Sequence, residues 1–265
     1  MQKKSYSIIS KEFLTDDIVS MWIKADDIAV AAVAGQFVSV YCDNKSTLLP
    51  RPISICDTDE NGGLRLVFRI VGKGTAEFAE KNAGDKLDII GPLGNGYPEV
   101  FELIKNKPDS KVIVIGGGIG IPPMLKTAKV LSTFVDPANI NIVLGYRDVL
   151  YMNDEFNSYG NVYISTEDGS AGTKGNVIDC IKENNIDADF IVTCGPIPML
   201  KGIKQYALEN DITAYVSLEE KMACGIGACL ACVCKTNDID SHSMVKNKRI
   251  CKDGPIFDAK EVDFS

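Results

Sequence analysis

The sequence predicts a multi-domain fold of α/β plus β type: an N-terminal antiparallel β-barrel or sandwich, a doubly wound parallel-sheet α/β domain and a small C-terminal cysteine-rich module. Three observations predict it: short β-type segments between turns over the first hundred residues, strands alternating with helices after about Glu102, and four cysteines within residues 224–234. The 265 residues allow several modules, because single cores usually stop growing at roughly 100–200 residues. We place the boundaries at residues 1–100, 101–216 and 217–265.

Short apolar segments separated by turn residues fill the first module. They read YSIIS, IVSMWIKA, GQFVSVYC, LRLVFRIV and DKLDIIGPLGNGY, a spacing typical of antiparallel β-structure. Two polar motifs accompany them. RPIS (Arg51–Ser54) joins a guanidinium to a hydroxyl at a strand start and is suited to a pyrophosphate, whereas RIVGKGT (Arg69–Thr75) ends a strand in glycines. The pair predicts a ligand site, with a hairpin turn as the alternative.

Strands and helices alternate through the second module, which predicts βαβ units and a parallel sheet. KVIVIGGG reads as a buried strand, IPPMLKTAKVLSTF as a helix, and NINIVLGYR, NVYISTEDGS, NVIDCIKENN and ADFIVTCGP continue the alternation. Glycine-rich turns follow two of the strands, at Gly116–Gly120 and at Cys194–Pro196. Such turns present helix N–H groups to a phosphate, although Ile121 replaces the last glycine of the dinucleotide pattern and a tight connection is the alternative. Asp168, Gly169 and Ser170 are expected at the same sheet edge, or in an ordinary surface loop.

Cysteines crowd the third module in the stretch CGIGACLACVC. Cys224, Cys229 and Cys232 form C-x4-C-x2-C, and Cys251 follows, which matches the plant-type ferredoxin spacing for a 2Fe-2S cluster. A structural zinc site and reactive thiols are the competing interpretations, but zinc usually takes two close pairs of cysteines, and only Lys221 and Lys235 would hold free thiolates. The remaining cysteine of the stretch, at 234, is interpreted as a bystander thiol.

Charge and targeting features exclude several functions. The net charge of −8 argues against nucleic-acid binding, which relies on clustered lysine and arginine. The N-terminal stretch has no apolar core typical of a signal peptide, and no apolar run is long enough to cross a membrane. We therefore expect a soluble, cytoplasmic protein. The odd number of cysteines, nine, favours thiols or metal ligands over a disulfide framework.

The motifs RPIS, GKGT, GPLG, GGGIGIPP and CGP occur in the order of the ferredoxin–NADP reductase superfamily, which the chain resembles over about residues 5–215. With the tail EEKMACGIGACLACVC…RICKDGPIFDA, the whole chain resembles the family of electron transfer subunits of dihydroorotate dehydrogenase B. The resemblance implies FAD in an N-terminal barrel, NAD on the α/β domain and an iron–sulfur cluster in the tail. Ile53 departs from the tyrosine with which many superfamily members cover the flavin ring.

The resemblance also implies site residues. Cys194 is expected near the nicotinamide, and no residue is expected to act as a catalytic acid or base, because the cofactors carry the hydride chemistry. The implied FAD contacts are Arg51, Pro52, Ile53, Ser54, Arg69, Ile70, Val71, Gly74 and Thr75; the NAD contacts are Gly117, Gly118, Gly120, Asp168, Cys194, Gly195 and Pro196; and the 2Fe-2S ligands are Cys224, Cys229, Cys232 and Cys251.

The implied function is electron transfer in pyrimidine biosynthesis. A separate FMN-containing catalytic subunit would oxidise dihydroorotate and pass electrons through the 2Fe-2S cluster and FAD to NAD, in a heterotetramer with two copies of each chain. Two alternatives stay open. One is an NAD(P)H-dependent subunit of another redox complex, acting on sulfide, hydrogen or ferredoxin, and the other is a zinc-stabilised non-redox binding protein.

Overall fold

Six antiparallel strands close into a barrel in the first part of the chain. A computed structural model describes residues 2–237, 239 and 244–264. The strand order is β1-β2-β5-β4-β3-β6, so closure leaves no free sheet edge and decides between the barrel and the sandwich. The strands are β1 (Lys4–Phe13), β2 (Ile18–Lys24), β3 (Phe37–Tyr41), β4 (Arg51–Thr58), β5 (Gly63–Arg69) and β6 (Lys86–Leu93), with helices α1 (Asp26–Ala31) and α2 (Lys73–Glu80) between them.

A twisted, mostly parallel sheet forms the second part. Its strands are β7 (Val112–Gly117), β8 (Ile140–Tyr146), β9 (Asn161–Thr166), β10 (Thr173–Lys174), β11 (Phe190–Cys194) and β12 (Thr213–Ser217). The helices are α3 (Pro98–Lys105), α4 (Ile121–Leu131), α5 (Val177–Glu183) and α6 (Ile197–Glu209). Strand β7 pairs with β8 on one side and β11 on the other, so the order of strands reverses there and opens a crevice at their carboxyl ends.

Helices cover both faces of this sheet, as the doubly wound prediction requires. Helix α4 packs between the sheet and barrel strand β4, whereas α5 and α6 lie on the opposite face. One hydrophobic cluster contains Ile18 and Val67 of the barrel together with Ile121 and Met124 of α4. The barrel and the α/β domain therefore share buried apolar surface, which holds them as one body.

The C-terminal module contains little regular structure. A two-stranded ribbon joins β13 (Val233–Lys235) to β14 (Asn247–Arg249), and α7 (Ile250–Asp253) follows. Strand β15 (Ile256–Asp258) then pairs antiparallel with β12 and becomes the seventh strand of the α/β sheet. The backbone N–H of Leu218 donates to the Pro255 carbonyl at 2.9 Å, which joins the two ends of the module. Within the described part of the chain, no helix has the length and apolar character needed to span a membrane.

Candidate functional site

A cleft of about 630 Å³ lies between the barrel and the carboxyl ends of the parallel strands. Thr15 to Ile18 and Arg69 line the barrel side. Gly117, Gly118 and Pro196 line the α/β side, at the reversal of strand order. The structure thus brings together one predicted flavin-side residue and parts of both glycine turns, in the crevice where doubly wound sheets bind ligands.

Close backbone approach explains the glycines of the first turn. A Cβ at Gly120 would lie 2.3 Å from the Cys194 carbonyl oxygen, and a Cβ at Gly117 would lie 2.3 Å from Met199 Sδ. Gly118 has φ +51°, in the left-handed region, and faces open space. Side chains are therefore excluded from the turn, and its backbone can approach a phosphate at the start of α4.

Cys194 lies beneath the cleft surface. Its side chain is 1% exposed, and Sγ lies 3.9 Å from Glu219 Oε1. Burial, followed by the Glu219 charge, raises the pKa of the Cys194 thiol well above its usual value. Glu219 is exposed as a residue, yet protein atoms packed around its carboxyl desolvate that group and raise its pKa. The thiol is therefore neutral and is held by a carboxyl group that the sequence did not reveal.

The loop after β9 separates two acidic residues. Asp168 is exposed and turns back on its own loop, where its Oδ1 accepts hydrogen bonds from the Ser170 N–H at 2.9 Å and the Ser170 hydroxyl at 2.7 Å. Among the described residues lining the cleft, Asp168 is not found, whereas the preceding Glu167 is. In the described residues the lining of the cleft therefore includes Glu167, and the contact of Asp168 with NAD stays a prediction.

Arg51 and Gly74 bring the two barrel motifs into contact. A Cβ at Gly74 would lie 2.6 Å from Arg51 Nε, so the glycine leaves room for the guanidinium. Gly74 belongs to the first turn of α2, which shows that GKGT opens a helix and that the hairpin alternative is wrong. An arginine beside a helix start is a suitable cradle for a pyrophosphate.

The other barrel residues have different surroundings. Thr75 Oγ1 accepts from the Val71 N–H at 3.0 Å and donates to the Gly72 carbonyl at 3.1 Å, so this hydroxyl stabilises the turn. Ile53 packs in the barrel core, whereas Pro52 and Ser54 are half-buried. Ile70 is also half-buried, but Val71 is 80% exposed. An exposed valine beside the Arg51 and Gly74 contact offers apolar surface to a flat ring.

Backbone N–H groups in residues 224–232, which we call the cysteine loop, point at cysteine sulfur atoms. Ile226 and Ala228 donate to Cys224 Sγ at 3.5 and 3.3 Å, and Gly227 donates to Cys251 Sγ at 3.1 Å. The Cys251 N–H donates in turn to Cys232 Sγ at 3.4 Å. Donors of this kind stabilise thiolate charge and the sulfur ligands of iron–sulfur clusters.

The four sulfurs form two pairs. Cys224 lies within hydrogen-bonding reach of Cys229, and Cys251 within reach of Cys232. Burial raises the pKa of the Cys224 thiol, but N–H donors and Cys229 outweigh it and lower the pKa to about 6. Burial and the Cys232 thiol raise the pKa of Cys251 to about 12. Among the residues described, no group of three histidine, cysteine, aspartate or glutamate side chains is placed to hold one metal ion.

The thiol of Cys234 makes a contact of its own, apart from the four paired cysteines. This residue lies on β13, and its Sγ donates to the Lys248 carbonyl of β14 at 3.5 Å. Burial raises its pKa to about 11, which keeps it protonated near neutral pH. The strand pairing therefore gives Cys234 a structural partner of its own.

The cysteine loop packs directly on the barrel. A Cβ at Gly225, whose φ is +68°, would lie 2.9 Å from Ser39 Oγ on β3 and 3.2 Å from Leu93 Cδ1 on β6. The loop Gly94–Gly96 also contacts the tail, since the Asn95 N–H donates to the Gly254 carbonyl at 2.8 Å. The candidate metal loop and the barrel are thus neighbours without an intervening layer.

Sequence reasoning missed four residues of the site. Arg147, Asp148 and Glu167 line the cleft at the ends of β8 and β9, and Glu219 contacts Cys194. A signal for Glu167 was present, because it follows the apolar strand NVYIST directly. For Glu219 no local signal existed, since its contact depends on folding across 25 residues.

Comparison with protein families divides the chain in the same order. Residues 5–97 match the oxidoreductase FAD-binding domain, residues 114–205 match the oxidoreductase NAD-binding domain, and residues 219–263 match the iron–sulfur cluster binding domain of dihydroorotate dehydrogenase B. The chain therefore has domains for FAD, NAD and an iron–sulfur cluster. The contact of Arg51 with Gly74 lies within the first match and the cysteine loop within the third, whereas the cleft is lined by residues of the first and the second.

Relatives that match this chain over nearly their whole length indicate the same combination of domains. The electron transfer subunit of dihydroorotate dehydrogenase B (NAD(+)) from Bacillus velezensis is 38% identical, with 99% of each chain covered, and that from Fusobacterium nucleatum is 40% identical, with 94% of each covered. A solved structure of the NADH-dependent reduced ferredoxin–NADP oxidoreductase is 31% identical, with a TM-score of 0.83 and coverage of 98% of this chain and 90% of that one. The chain belongs to the family of dihydroorotate dehydrogenase B electron transfer subunits.

Proposed function

We propose that the protein is the electron transfer subunit of an NAD-dependent dihydroorotate dehydrogenase and serves pyrimidine biosynthesis. The observation that carries this proposal is the contact of the cysteine loop with the barrel at Gly225, Ser39 and Leu93. A cluster in that loop would lie beside the flavin domain, and the flavin domain in turn borders the cleft of the NAD-binding domain. We propose that the three modules, at residues 1–100, 101–216 and 217–265, form one electron path in which each module borders the next.

When bound, a 2Fe-2S cluster carries single electrons, and FAD converts these to the hydride that NAD accepts. The chain itself binds and orients these groups, so it needs no acid or base at the reacting atoms. We assign the FAD diphosphate to Arg51, Gly74 and the start of α2, and the flavin ring to the side of Val71. Further FAD contacts are assigned to Pro52, Ile53, Ser54, Arg69, Ile70 and Thr75.

NAD is assigned to the cleft. Gly117 and Gly118 would hold its diphosphate against the start of α4, and Gly120 keeps that turn close to Cys194. Pro196 borders the same cleft, and we assign Gly195, next to it in sequence and close to the Gly117 carbonyl, to the same contact with NAD. Cys194 would act near the nicotinamide as a neutral, buried wall, in keeping with its raised pKa.

We assign the cluster to Cys224, Cys229, Cys232 and Cys251. A 2Fe-2S cluster held by these four thiolates would supply one-electron transfer. Cys224 lies within hydrogen-bonding reach of Cys229 and Cys251 within reach of Cys232, which supports two metal positions over a single zinc ion, since zinc needs all four sulfurs around one point.

A catalytic partner subunit is expected to dock on the cysteine loop. Cys229 is exposed, and Ile226 and Leu230 beside it are 55% and 49% exposed. An apolar surface around the place where electrons would enter the chain favours a protein partner. We propose that this partner is the FMN-containing subunit that oxidises dihydroorotate, in a cytoplasmic heterotetramer with two copies of each chain.

Reconstitution tests the proposal. The purified protein should show flavin absorption with a broad iron–sulfur shoulder, and adding the catalytic subunit should couple dihydroorotate oxidation to NAD reduction. A colourless, zinc-containing protein would contradict the electron-transfer assignment altogether. Native mass spectrometry of the mixture measures the stoichiometry.

A subunit of another redox complex is the second candidate. The NADH-dependent reduced ferredoxin–NADP oxidoreductase structure, at 31% identity over nearly the whole chain, favours it. The two candidates differ in the electron donor. Reduction of the bound flavin by reduced ferredoxin, with none by dihydroorotate and its dehydrogenase subunit, would support the second.

A further inference from the structure

A buried hydroxyl group lies under the cysteine loop. Ser39 is 1% exposed, and among residues 2–237, 239 and 244–264 its Oγ has no hydrogen-bond partner. A buried hydroxyl that forms no hydrogen bond has given up its contact with water without compensation, so such groups are uncommon in folded proteins. The position of Ser39 therefore indicates an acceptor that the protein binds there.

The strand fixes the direction in which this hydroxyl faces. Along β3, Val38 and Val40 fill the barrel core. Because side chains alternate along a strand, Phe37 and Ser39 face outward from the barrel. Phe37 packs in the same hydrophobic cluster as Cys251. Ser39 thus lies on the face of the barrel that meets the cysteine-rich module.

The neighbours of Ser39 on that face are apolar. Its cross-strand partners are Pro52 on β4 and Ile90 on β6, whose side chains carry no hydrogen-bonding atom. From the cysteine loop, Gly225 comes so close that a Cβ there would lie 2.9 Å from Ser39 Oγ. Since Gly225 has no side chain and directly follows Cys224, the hydroxyl lies against the backbone beside an assigned cluster ligand.

The chemistry of the cysteine loop identifies the acceptor. The N–H groups of Ile226 and Ala228 donate to Cys224 Sγ, so this loop places donors around sulfur. Thiolate and sulfide sulfur accept several hydrogen bonds, and donors to them raise the reduction potential of a cluster because they stabilise the negative charge gained on reduction. A hydroxyl from the barrel side adds a donor to those that the loop backbone supplies.

We propose that the Ser39 hydroxyl donates a hydrogen bond to the sulfur of the cluster site beside Cys224 and thereby raises the reduction potential of the cluster. This inference rests on the proposed assignment of the cluster to the cysteine loop. Ser39 acts through the cluster and does not touch a substrate, so it is a positioning residue. It makes the surface of the flavin domain part of the cluster environment.

A redox titration followed by electron paramagnetic resonance tests the inference on the whole chain with FAD and cluster bound. We expect Ser39→Ala to make the cluster potential more negative, because it removes the donor. The ratio of reduced to oxidised cluster at a fixed potential should fall about tenfold, which corresponds to about 59 mV for one electron. Ser39→Thr keeps a hydroxyl and should stay near the wild-type potential. The flavin potential should move less than the cluster potential.

Ser20→Ala is the matched control. Ser20 is also a barrel serine with 1% exposure, but its hydroxyl has a partner of its own, since it accepts from Arg65 Nε at 3.1 Å. Its replacement should leave the cluster potential as in the wild type. Iron content and circular dichroism establish that each variant is loaded and folded.

The outcomes separate this inference from the proposed function. An unchanged cluster potential in Ser39→Ala, or an equal fall in Ser39→Thr, overturns the inference. A shift confined to the flavin potential also overturns it, because the hydroxyl then serves the flavin. A wild-type protein without any iron–sulfur signal instead contradicts the assignment of the cluster to the cysteine loop.

Discussion

Arg65 of the barrel forms a two-pronged ion pair with Glu155 of the α/β domain. Its Nη1 contacts Glu155 Oε2, and its Nη2 lies 3.1 Å from Oε1. The Arg65 side chain is 7% exposed, and its Nε donates to Ser20 Oγ at 3.1 Å. Because both guanidinium edges are occupied, the ion pair fixes the orientation of one domain against the other.

Removing the Glu155 charge should destabilise the protein. Glu155→Gln leaves a nearly buried guanidinium with only the more distant Glu12 carboxylate, 3.7 Å from Nη2, as its counter-charge. That remaining ion pair and the partial exposure of Glu155 limit the loss to about 1–3 kcal/mol. Thermal unfolding followed by circular dichroism should show a lower midpoint. Asp154→Asn, next in sequence and exposed, is the matched control and should change the midpoint little. Equal midpoints for the two variants would show that the ion pair contributes nothing.

Replacing single cysteines should distinguish the cluster ligands from the bystander thiol of Cys234. Cys232→Ser removes a buried sulfur of the second pair and should abolish the iron–sulfur shoulder and the iron content, while flavin stays bound. Cys234→Ser keeps a hydrogen-bond donor to the Lys248 carbonyl, so this variant should retain the iron–sulfur shoulder and the iron content. Absorption spectra and iron analysis of the two proteins make the comparison. Loss of iron in Cys234→Ser would contradict the ligand assignment.

A methyl group at Gly74 should weaken FAD binding. Its Cβ would lie 2.6 Å from Arg51 Nε and would push the guanidinium away from the start of α2. We expect Gly74→Ala to lower FAD affinity by about tenfold or more, since a displaced arginine loses a charge-assisted hydrogen bond of about 1.5–3 kcal/mol. Fluorescence titration of the deflavinated protein with FAD measures this affinity. Gly72→Ala adds the same methyl into open space and should have a smaller effect.

Removing the cluster should loosen one module alone. Among the described residues, no helix or strand occurs between Ser217 and Val233, so the order of the cysteine loop depends on its ligands. Hydrogen exchange after iron chelation should accelerate in residues 219–232, while β7 and β11 keep their protection. Acceleration throughout the sheet would show that the modules are not independent in this respect.

Local patterns explain why much of the architecture could be predicted. Turn-bounded apolar segments predict the barrel strands, and alternation of strand and helix predicts the sheet that β7 to β12 form. The C-x4-C-x2-C spacing likewise selected the cysteines that the fold arranges in pairs. These features depend on neighbours in sequence, so a single chain contains them.

Long-range contacts could not be predicted in the same way. Arg65 and Glu155 lie 90 residues apart, and nothing local in either segment indicates a partner. The choice between Asp168 and Glu167 depends on which side chain the loop turns inward, and Ser170 decides it by hydrogen-bonding to Asp168. Both outcomes follow from tertiary geometry, which motif reading does not include.

Strand β15 changes how the cysteine-rich segment should be regarded. Ser217 pairs with Ile256 at the base of that segment, and the Leu218 N–H closes the same neck on the Pro255 carbonyl. The segment is therefore an insert between two adjacent strands of a sheet that is already complete around it. A short turn from Ser217 to Ile256 could replace the whole insert and leave seven strands in place. Conversely, a transplanted insert needs a receiving hairpin at a sheet edge and a neighbouring surface to replace Ser39 and Leu93, which Gly225 contacts here. The cysteine-rich segment is therefore separable from the α/β sheet in a way that the strands themselves are not.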